Sequence, residues 1–358
     1  MPSVIDQYDY LTNNLEGQLN LERNDHQITL GGNVRLSRFD VHTDQPQEMR
    51  LAGTPEDEQW AGLFAMDRWQ VTKKWALEGQ LRGDWYSGTH ADWSGRAASL
   101  YGLDDNNHHI WRLAAAKAFR APAIGFRQAS TSRIPLPPPV PPGLFGFNLI
   151  KPESDLDNEQ TWSLETGYSG QIARDWTFRV DAYYQRMEDL IGGRGLPDPM
   201  GMGRYLITLD NVDGADTYGA ETEIGWVQKW GKIAAWYAYN ECRRDGGKSQ
   251  NIRAFLPARH KTGLTSHLYL PAGFTFSTSY RFTSITRSDQ DWGAYDGVDP
   301  THRLDATLAK SFADGQGELL VGISDILQEK HNPIVASGNL TGHDTPGRTF
   351  FARLQFTF

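Results

Sequence analysis

The chain has 358 residues, a formal net charge of −9 and a single cysteine, Cys242. The negative charge and the lack of a basic cluster argue against a nucleic-acid partner, because contacts to phosphates require lysine and arginine. One cysteine excludes a disulfide framework and a metal site built from several thiolates. The length allows one large β domain or two to three smaller domains.

No segment is apolar over the roughly 18 residues that a membrane-spanning helix requires. Residues 1–6 lack the basic start and apolar core of a secretory signal, so none is expected there. Glycine and aromatic residues are abundant throughout. This composition suits a soluble all-β protein or a membrane β-barrel, since a barrel wall needs an apolar residue only at every second position.

Alternation of apolar and polar residues predicts strands from the start of the chain. The first four are expected at 15–21, 27–39, 60–71 and 75–85. In the last of these, Trp75, Leu81 and Trp85 share one face, and polar residues occupy the other. A period of two over this length is a strong strand signal.

The alternation continues to the C-terminus and gives about fifteen strands, with no segment of helical period. The remaining strands are predicted at 93–102, 109–118, 159–169, 176–185, 204–228, 231–243, 254–269, 274–286, 302–312, 317–327 and 347–358.

Short turns and long loops alternate along the chain. The turns are predicted near 24, 73, 105, 170, 229, 271 and 314. The long loops are predicted at 40–56, 87–92, 119–158, 187–203, 244–253, 287–301 and 328–346. Strict alternation of this kind, with many strands longer than those of soluble proteins, is typical of an outer-membrane barrel.

The longest loop, 119–158, has no period and contains a proline cluster between 135 and 142. An irregular span of this length is uncommon inside a compact domain, and where it occurs it is usually functional or disordered. Alternating segments flank it on both sides, so we interpret it as one large loop between adjacent strands.

Aromatic residues at strand ends favour a barrel over a soluble β-sandwich. Trp75 and Trp85 lie at the two ends of one strand, and Phe274 and Phe282 lie near the ends of another. Such positions fit the aromatic belts at the two membrane interfaces. The last strand carries alternate apolar residues up to Phe358, which would make a poor exposed edge in water.

One set of short motifs consists of Phe119, Arg120, Ala121, Pro122, Asn148, Leu149, Lys151, Pro152, Glu153 and the terminal Phe358. Further motifs occur at 165–168, 211–221, 324–327 and 346–348. In their order along the chain, these motifs resemble those of TonB-dependent outer-membrane receptors, and the first set resembles the barrel signature of that family.

The resemblance implies a barrel of about 22 strands with a plugged lumen, located in the outer membrane of a Gram-negative type of cell. About fifteen strands are predicted here, without a plug or a TonB-contacting box. Residues 1–358 are therefore expected to form one partial barrel domain from a truncated or fragmentary reading frame. Contact with TonB would require the plug that this sequence lacks.

The resemblance also implies uptake of a scarce extracellular ligand, with a ferric siderophore favoured. Cobalamin, haem and glycan receptors of the same family and a passive porin-like channel are the alternatives. Haem receptors carry a histidine between the two signature boxes, whereas residues 123–147 contain none. A porin would lack those boxes.

No nucleophile elbow, zinc-protease motif or phosphate loop is present, so no enzyme activity, cofactor or metal is expected.

Ligand contacts are expected in the long loops. Arginine suits the carboxylate or catecholate oxygens of an anionic siderophore, and phenylalanine can pack on an apolar ligand body. Alternatively, the 119–122 box only shapes the exit of the strand. The candidates are Arg120, Phe126, Arg127, Arg133, Phe145 and Phe147. Seven inward-facing charged residues are expected to form lumen salt bridges against a plug rather than a catalytic set. They are Arg82, Arg179, Arg281, Arg353, Asp84, Asp181 and Asp305.

Overall fold

The computed structural model describes residues 6–43, 50–51, 56–130, 148–150, 156–196, 206–245, 257–287, 297–328 and 347–357. The strands of the first half are β1 (Asp6–Arg23), β2 (His26–Thr43), β3 (Arg50–Leu51), β4 (Glu56–Gln70), β5 (Trp75–Tyr86), β6 (Asp92–Gly102), β7 (His109–Arg120), β8 (Ala129–Ser130), β9 (Asn148–Ile150) and β10 (Glu159–Ala173).

Those of the second half are β11 (Trp176–Leu196), β12 (Leu206–Gln228), β13 (Gly231–Arg244), β14 (His260–Leu270), β15 (Phe274–Thr283), β16 (Thr286–Arg287), β17 (Gly297–Val298), β18 (Thr301–Phe312), β19 (Gly317–Ser324) and β20 (Thr349–Phe356). The helical segments are α1 (Ile124–Gln128) and two 3-10 turns, Pro271–Gly273 and Ala313–Gly315. None of these described helices is long and apolar enough to cross a bilayer.

Fifteen of the strands form one continuous antiparallel meander. Each long strand pairs with the next long strand along the chain, from β1 through β2, β4–β7, β10–β15, β18 and β19 to β20. The short β9 joins the sheet separately by pairing in parallel with the start of β12. The predicted all-β antiparallel meander is therefore confirmed, and helix is nearly absent from the described residues.

The turns and loops alternate as predicted, and local side chains shape the tight turns. Between β6 and β7, a carboxylate oxygen of Asp104 accepts a hydrogen bond from the His109 backbone N–H at 2.9 Å. That backbone hydrogen bond lowers the pKa of Asp104. Asn24 adopts a positive φ of 52° in the turn between β1 and β2, a conformation that asparagine tolerates better than most residues.

Three sequence-based expectations are wrong in detail. The turn predicted at Gly170 lies at 174–175, because β10 continues to Ala173 through a register shift. Much of the loop predicted at 187–203 is strand, because β11 and β12 keep pairing beyond Met187 despite two register shifts. The loop predicted at 119–158 contains α1 and the short strands β8 and β9.

The sheet has one apolar and one polar face, and nothing in the described chain covers the apolar face. Large apolar side chains are widely exposed there, including Leu15 at 77%, Leu63 at 75% and Phe350 at 74%. The only other described sheets are two isolated two-stranded ribbons. The expected arrangement of a soluble sandwich, with two apolar faces stacked together, is therefore excluded.

Aromatic residues form two belts on the apolar face. At the end of the sheet with short turns, the rings of Trp176 and Trp226 stack with centroids 5.4 Å apart. At the end with long loops, His302 packs against Phe282 with centroids 4.8 Å apart. We call these the lower and upper girdles. Ten residues separate Trp75 from Trp85, which for a tilted strand corresponds to about 25 Å, the height of a membrane-barrel apolar band.

An arginine placed between the girdles tests which face meets lipid. The Leu81→Arg variant should lose about 2 to 4 kcal/mol of folding free energy in lipid vesicles, because the charge would sit near the bilayer midplane. Gln80→Arg, one residue away on the polar face, is the matched control and should change stability far less. Denaturant titration in vesicles measures both. Equal losses for the two variants would contradict the assignment of faces.

Candidate functional site at the long-loop end

Short strand pairs join the long connections to each other at one end of the sheet. β3, in the connection between β2 and β4, pairs with β8, in the connection between β7 and β10. β9, in that same connection, pairs with the first residues of β12. The described parts of two loops are thus joined to each other, and one of these loops is also joined to the hairpin of β11 and β12.

The first anchor of the large loop is a buried ionic cluster around Arg127 of α1. The Arg127 guanidinium donates to Glu56 at 2.9 Å and to Glu58, both on β4. The Tyr86 hydroxyl, at the end of β5, donates to the same Glu58 carboxylate. The Arg127 side chain is only 9% exposed. Burial would lower its pKa, but the influence of Tyr86 and the two glutamates outweighs burial and raises the pKa.

An aromatic floor lies beside this cluster. The ring of Phe119, the first residue of the signature box, stacks against Trp60 of β4 with centroids 6.4 Å apart. Trp60 also contacts Tyr86, with centroids 5.0 Å apart, and the Arg35 guanidinium lies 5.1 Å from its ring centroid. The end of β7 therefore starts the large loop from a fixed position.

The second anchor holds the returning end of the loop through Asn158, which is 1% exposed. The Thr89 hydroxyl donates to the Asn158 side-chain oxygen at 2.8 Å, and the Asn158 amide donates to Asp92 at 3.4 Å. The Lys117 ammonium donates to the same Asp92 carboxylate at 2.6 Å. The Asn158 side chain therefore ties the loop to the connection between β5 and β6 and to the first residue of β6, which Lys117 of β7 also contacts.

Adjacent residues connect this second anchor to the tall hairpin of β11 and β12. Glu159 pairs with Arg120 and also accepts the Ile191 backbone N–H at 2.9 Å. The Asn211 side chain accepts the Asp157 N–H at 2.8 Å and donates to the Asp157 carbonyl at 3.1 Å. These contacts couple the loop end to the hairpin.

Asp189, in the part of β11 near the large loop, lies where its ionised carboxylate is disfavoured. Burial raises the pKa of Asp189, and the negative charges of Asp157 and Glu188 raise it further. Asp189 also has a positive φ of 56°. Its carbonyl accepts a hydrogen bond from the Asn211 amide at 2.6 Å, which holds the strand at this irregular position.

The predicted ligand contacts fall into three groups. Arg120 and Phe126 lie at the surface, with the Arg120 side chain 70% exposed and Phe126 42% exposed. Arg127 is buried in its ionic cluster. The other candidates, Arg133, Phe145 and Phe147, lie outside the described residues.

Only some of the signature residues lie in the described part of the chain. Phe119, Arg120, Ala121 and Pro122 lie at the end of β7 and just beyond it, and Asn148 and Leu149 form part of β9. The remaining signature residues, Lys151, Pro152, Glu153 and Phe358, lie outside the described part of the chain.

Sequence reasoning missed the residues that hold the loop. Glu56 and Glu58 precede Arg127 by about 70 positions, so no local pattern links them. Asn158 and Asn211 look like ordinary polar residues at strand ends. A usable signal is the Asn158-Glu159 pair at the start of β10, a position where side chains satisfy backbone groups left free at a strand end.

The polar face carries salt bridges within the sheet, whereas pairing against a plug stays a prediction. Arg82 pairs with Asp84, Arg112 and Arg179 both pair with Asp181, Arg303 pairs with Asp305, and Arg353 pairs with Glu318. Arg281 stands opposite Arg303 in the strand register. No group of three or more histidine, cysteine, aspartate or glutamate side chains suited to a metal occurs in the described residues.

Comparison with known proteins identifies the class of protein. A family model described as "TonB dependent receptor-like, beta-barrel" matches residues 3–323. The chain therefore belongs to the TonB-dependent receptor β-barrel family. No curated protein sequence matches it.

Solved structures show the same fold at low sequence identity. The siderophore receptor PirA from Acinetobacter baumannii has a TM-score of 0.74 and 16% identity, over 99% of this chain and 55% of that chain. A mutant of the ferric enterobactin receptor PfeA from Pseudomonas aeruginosa has a TM-score of 0.77 and 14% identity, over 98% and 54%.

The copper transporter OprC has a TM-score of 0.71 and 16% identity, over 99% of this chain and 59% of that chain. These matches are receptors and transporters, not enzymes. The chain spans about half the length of the solved structures that it matches.

Removal of the Arg127 side chain should release the first anchor. In Arg127→Ala, Glu56 and Glu58 lose their buried partner, a change that typically costs about 3 to 5 kcal/mol. We expect hydrogen exchange in α1 to become much faster. As the control, Arg353→Ala breaks an exposed pair worth about 0 to 1 kcal/mol. Unchanged exchange in α1 would mean that Arg127 does not hold the loop.

Removal of the Asn158 amide should weaken the second anchor. Asn158→Ala leaves buried partners without hydrogen bonds, which costs about 1 to 3 kcal/mol. The exposed turn residue Asn106 provides the control Asn106→Ala, which should be nearly neutral. Denaturant unfolding measures both variants. Similar stabilities for the two would show that Asn158 is not an anchor.

Proposed function

We propose that the protein is an outer-membrane receptor barrel that captures a ferric siderophore outside a Gram-negative type of cell. The observation that carries the proposal is a one-layer sheet whose apolar face bears two aromatic girdles, with anchored long loops at one end only. Membership of the TonB-dependent receptor family and the similarity to siderophore receptors support the same reading.

The apolar face is the argument for the membrane. A soluble protein rarely exposes a large contiguous apolar patch, whereas this face runs along the whole sheet. In lipid, all backbone groups of a span must pair within the protein. The meander pairs each long strand with its neighbours, and among the described residues it leaves the outer edges of β1 and β20 without a partner strand. The polar face then lines an enclosed lumen, where its salt bridges are shielded from lipid.

The anchored loops are the argument for ligand capture. Both ends of the large loop are fixed to the sheet, so the segment between them is presented from a rigid base. Arg120 and Phe126 stand exposed at that base, one with charge and one with an apolar ring. An anionic siderophore would share the Arg120 guanidinium with Glu159, and its apolar body would pack on Phe126.

The remaining candidates, Arg133, Phe145 and Phe147, belong to the same loop and would extend this contact surface. Active uptake in the family also needs a plug and a contact to TonB. For this chain, the proposal is limited to membrane insertion and ligand capture. A copper ligand is the second candidate, because the fold also matches a copper transporter.

Ligand binding by the protein in detergent or vesicles tests the proposal. We expect ferric catecholate or carboxylate siderophores to bind, and Arg120→Ala and Phe126→Ala each to weaken binding about tenfold, equivalent to about 1.4 kcal/mol. Arg174→Ala, an exposed arginine in the turn at the opposite end, is the control and should bind like the unmodified protein.

Two results would contradict this assignment. One is binding of copper ions with no binding of any ferric siderophore, which would favour the second candidate. The other is siderophore binding that all three variants retain equally, which would place the ligand away from the large loop. Membrane fractionation of expressing cells tests the outer-membrane location separately.

A further inference from the structure

The apolar face contains a groove that has a carboxylate at one end. It has a volume of about 620 Å³ and crosses strands β4 to β7. A row of small residues forms its floor, and larger side chains stand beside them. These residues are Gly79, Gly95, Ala97 and Ala115 on the floor, with Leu81 and Trp93 as walls.

The row of small residues that forms the floor starts beside the Asp67 carboxylate, near the lower girdle. Asp67 pairs in register with Gly79, Gly79 with Ala97, and Ala97 with Ala115. Asp67 lies three residues from the end of β4, whereas Ala115 lies six residues from the start of β7, both counted from the short-turn end. The row spans about 14 Å across three strand spacings. It therefore runs from the membrane interface toward the middle of the apolar band.

Asp67 is an unusual residue for this face. Its Oδ2 atom lies 2.8 Å from His26 Nδ1, and the His26 ring stacks on Trp69 of the lower girdle. Its Oδ1 atom is covered and has no hydrogen-bond partner among the described residues. The side chain is nevertheless 42% exposed. An ionisable residue on a lipid-facing surface is costly and usually has a functional partner.

The neighbouring lysine and arginine side chains do not pair with this carboxylate. Lys117 lines the same groove, but its ammonium bonds to Asp92 at 2.6 Å and lies 4.6 Å from the Trp93 ring centroid. Arg68, next in sequence, bonds to Glu78 at 2.9 Å. Asp67 is left with one histidine contact, although an ionised carboxylate can accept about four hydrogen bonds.

We propose that this groove seats one phospholipid whose headgroup carries a primary ammonium group. The ammonium bonds to Asp67 Oδ2, the oxygen that His26 also contacts, because Oδ1 is covered. One acyl chain lies along the row of small residues and ends against Leu81 and Trp93. The inference goes beyond ligand capture and rests on the proposed membrane location only.

Two variants separate the headgroup contact from the chain contact. Asp67→Asn removes the charge and keeps the shape. Gly79→Leu fills the floor, and no atom lies within 4 Å of the position of an added Cβ, so the fold can accept the side chain. Gly83→Leu is the matched control, because Gly83 lies on the same strand and face, is equally open, and lines a separate groove that does not include Asp67.

Native mass spectrometry of the full chain in detergent supplies the test, with phosphatidylethanolamine and phosphatidylglycerol of identical acyl chains. We expect one retained phosphatidylethanolamine, preferred several-fold over phosphatidylglycerol. Asp67→Asn should abolish the preference, and Gly79→Leu should lower retention about tenfold, while Gly83→Leu should match the unmodified protein.

Equal retention of the two lipids by the unmodified protein would overturn the proposal, as would equal behaviour of Gly79→Leu and Gly83→Leu. Either failure leaves the proposed function standing if the same preparations bind a ferric siderophore. If the unmodified protein shows the lipid preference but binds no ferric siderophore, the result would count against the proposed function alone.

Discussion

The structure depends on one constraint: each long strand must present two faces to two different environments while pairing its backbone with both neighbours. In lipid, unpaired N–H and C=O groups are prohibitively costly, so the strands must form a continuous ladder. The meander supplies that ladder between its two outer strands. Side chains then segregate by position alone, with leucine and tryptophan on one face and paired charges on the other.

The same constraint explains why polar side chains concentrate at the long-loop end. Loops that leave the ladder lose the regular backbone pairing of strands, and side chains must hold them instead. Arg127 does so at one end of the large loop, and Asn158 does so at the other. Because these anchors are buried, the loop between them starts and ends at fixed points, which limits the entropy that a ligand would have to remove.

Alternation is a local property, so the strands could be predicted from the sequence. Trp75 and Trp85 were expected at opposite ends of one apolar face, and that is where they lie. The anchors could not be predicted in this way, because Arg127 meets glutamates about 70 positions earlier in the chain. The extension of β11 and β12 was missed because Gly192 and Gly193 resemble a loop, although the hairpin's backbone pairing tolerates them.

The most direct test of the central claim is a spin-label scan along β5 in vesicles, starting from a Cys242→Ser background. Labels at residues 75–86 would be compared for collision with oxygen, which partitions into lipid, and with a water-soluble nickel chelate. If lipid contacts one face and water the other, accessibility to oxygen and accessibility to the chelate should alternate in opposite phase along the strand. Oxygen collisions should then dominate at Leu77 and Leu81. Uniform accessibility to the chelate, or oxygen maxima at Gln80 and Arg82, would contradict it.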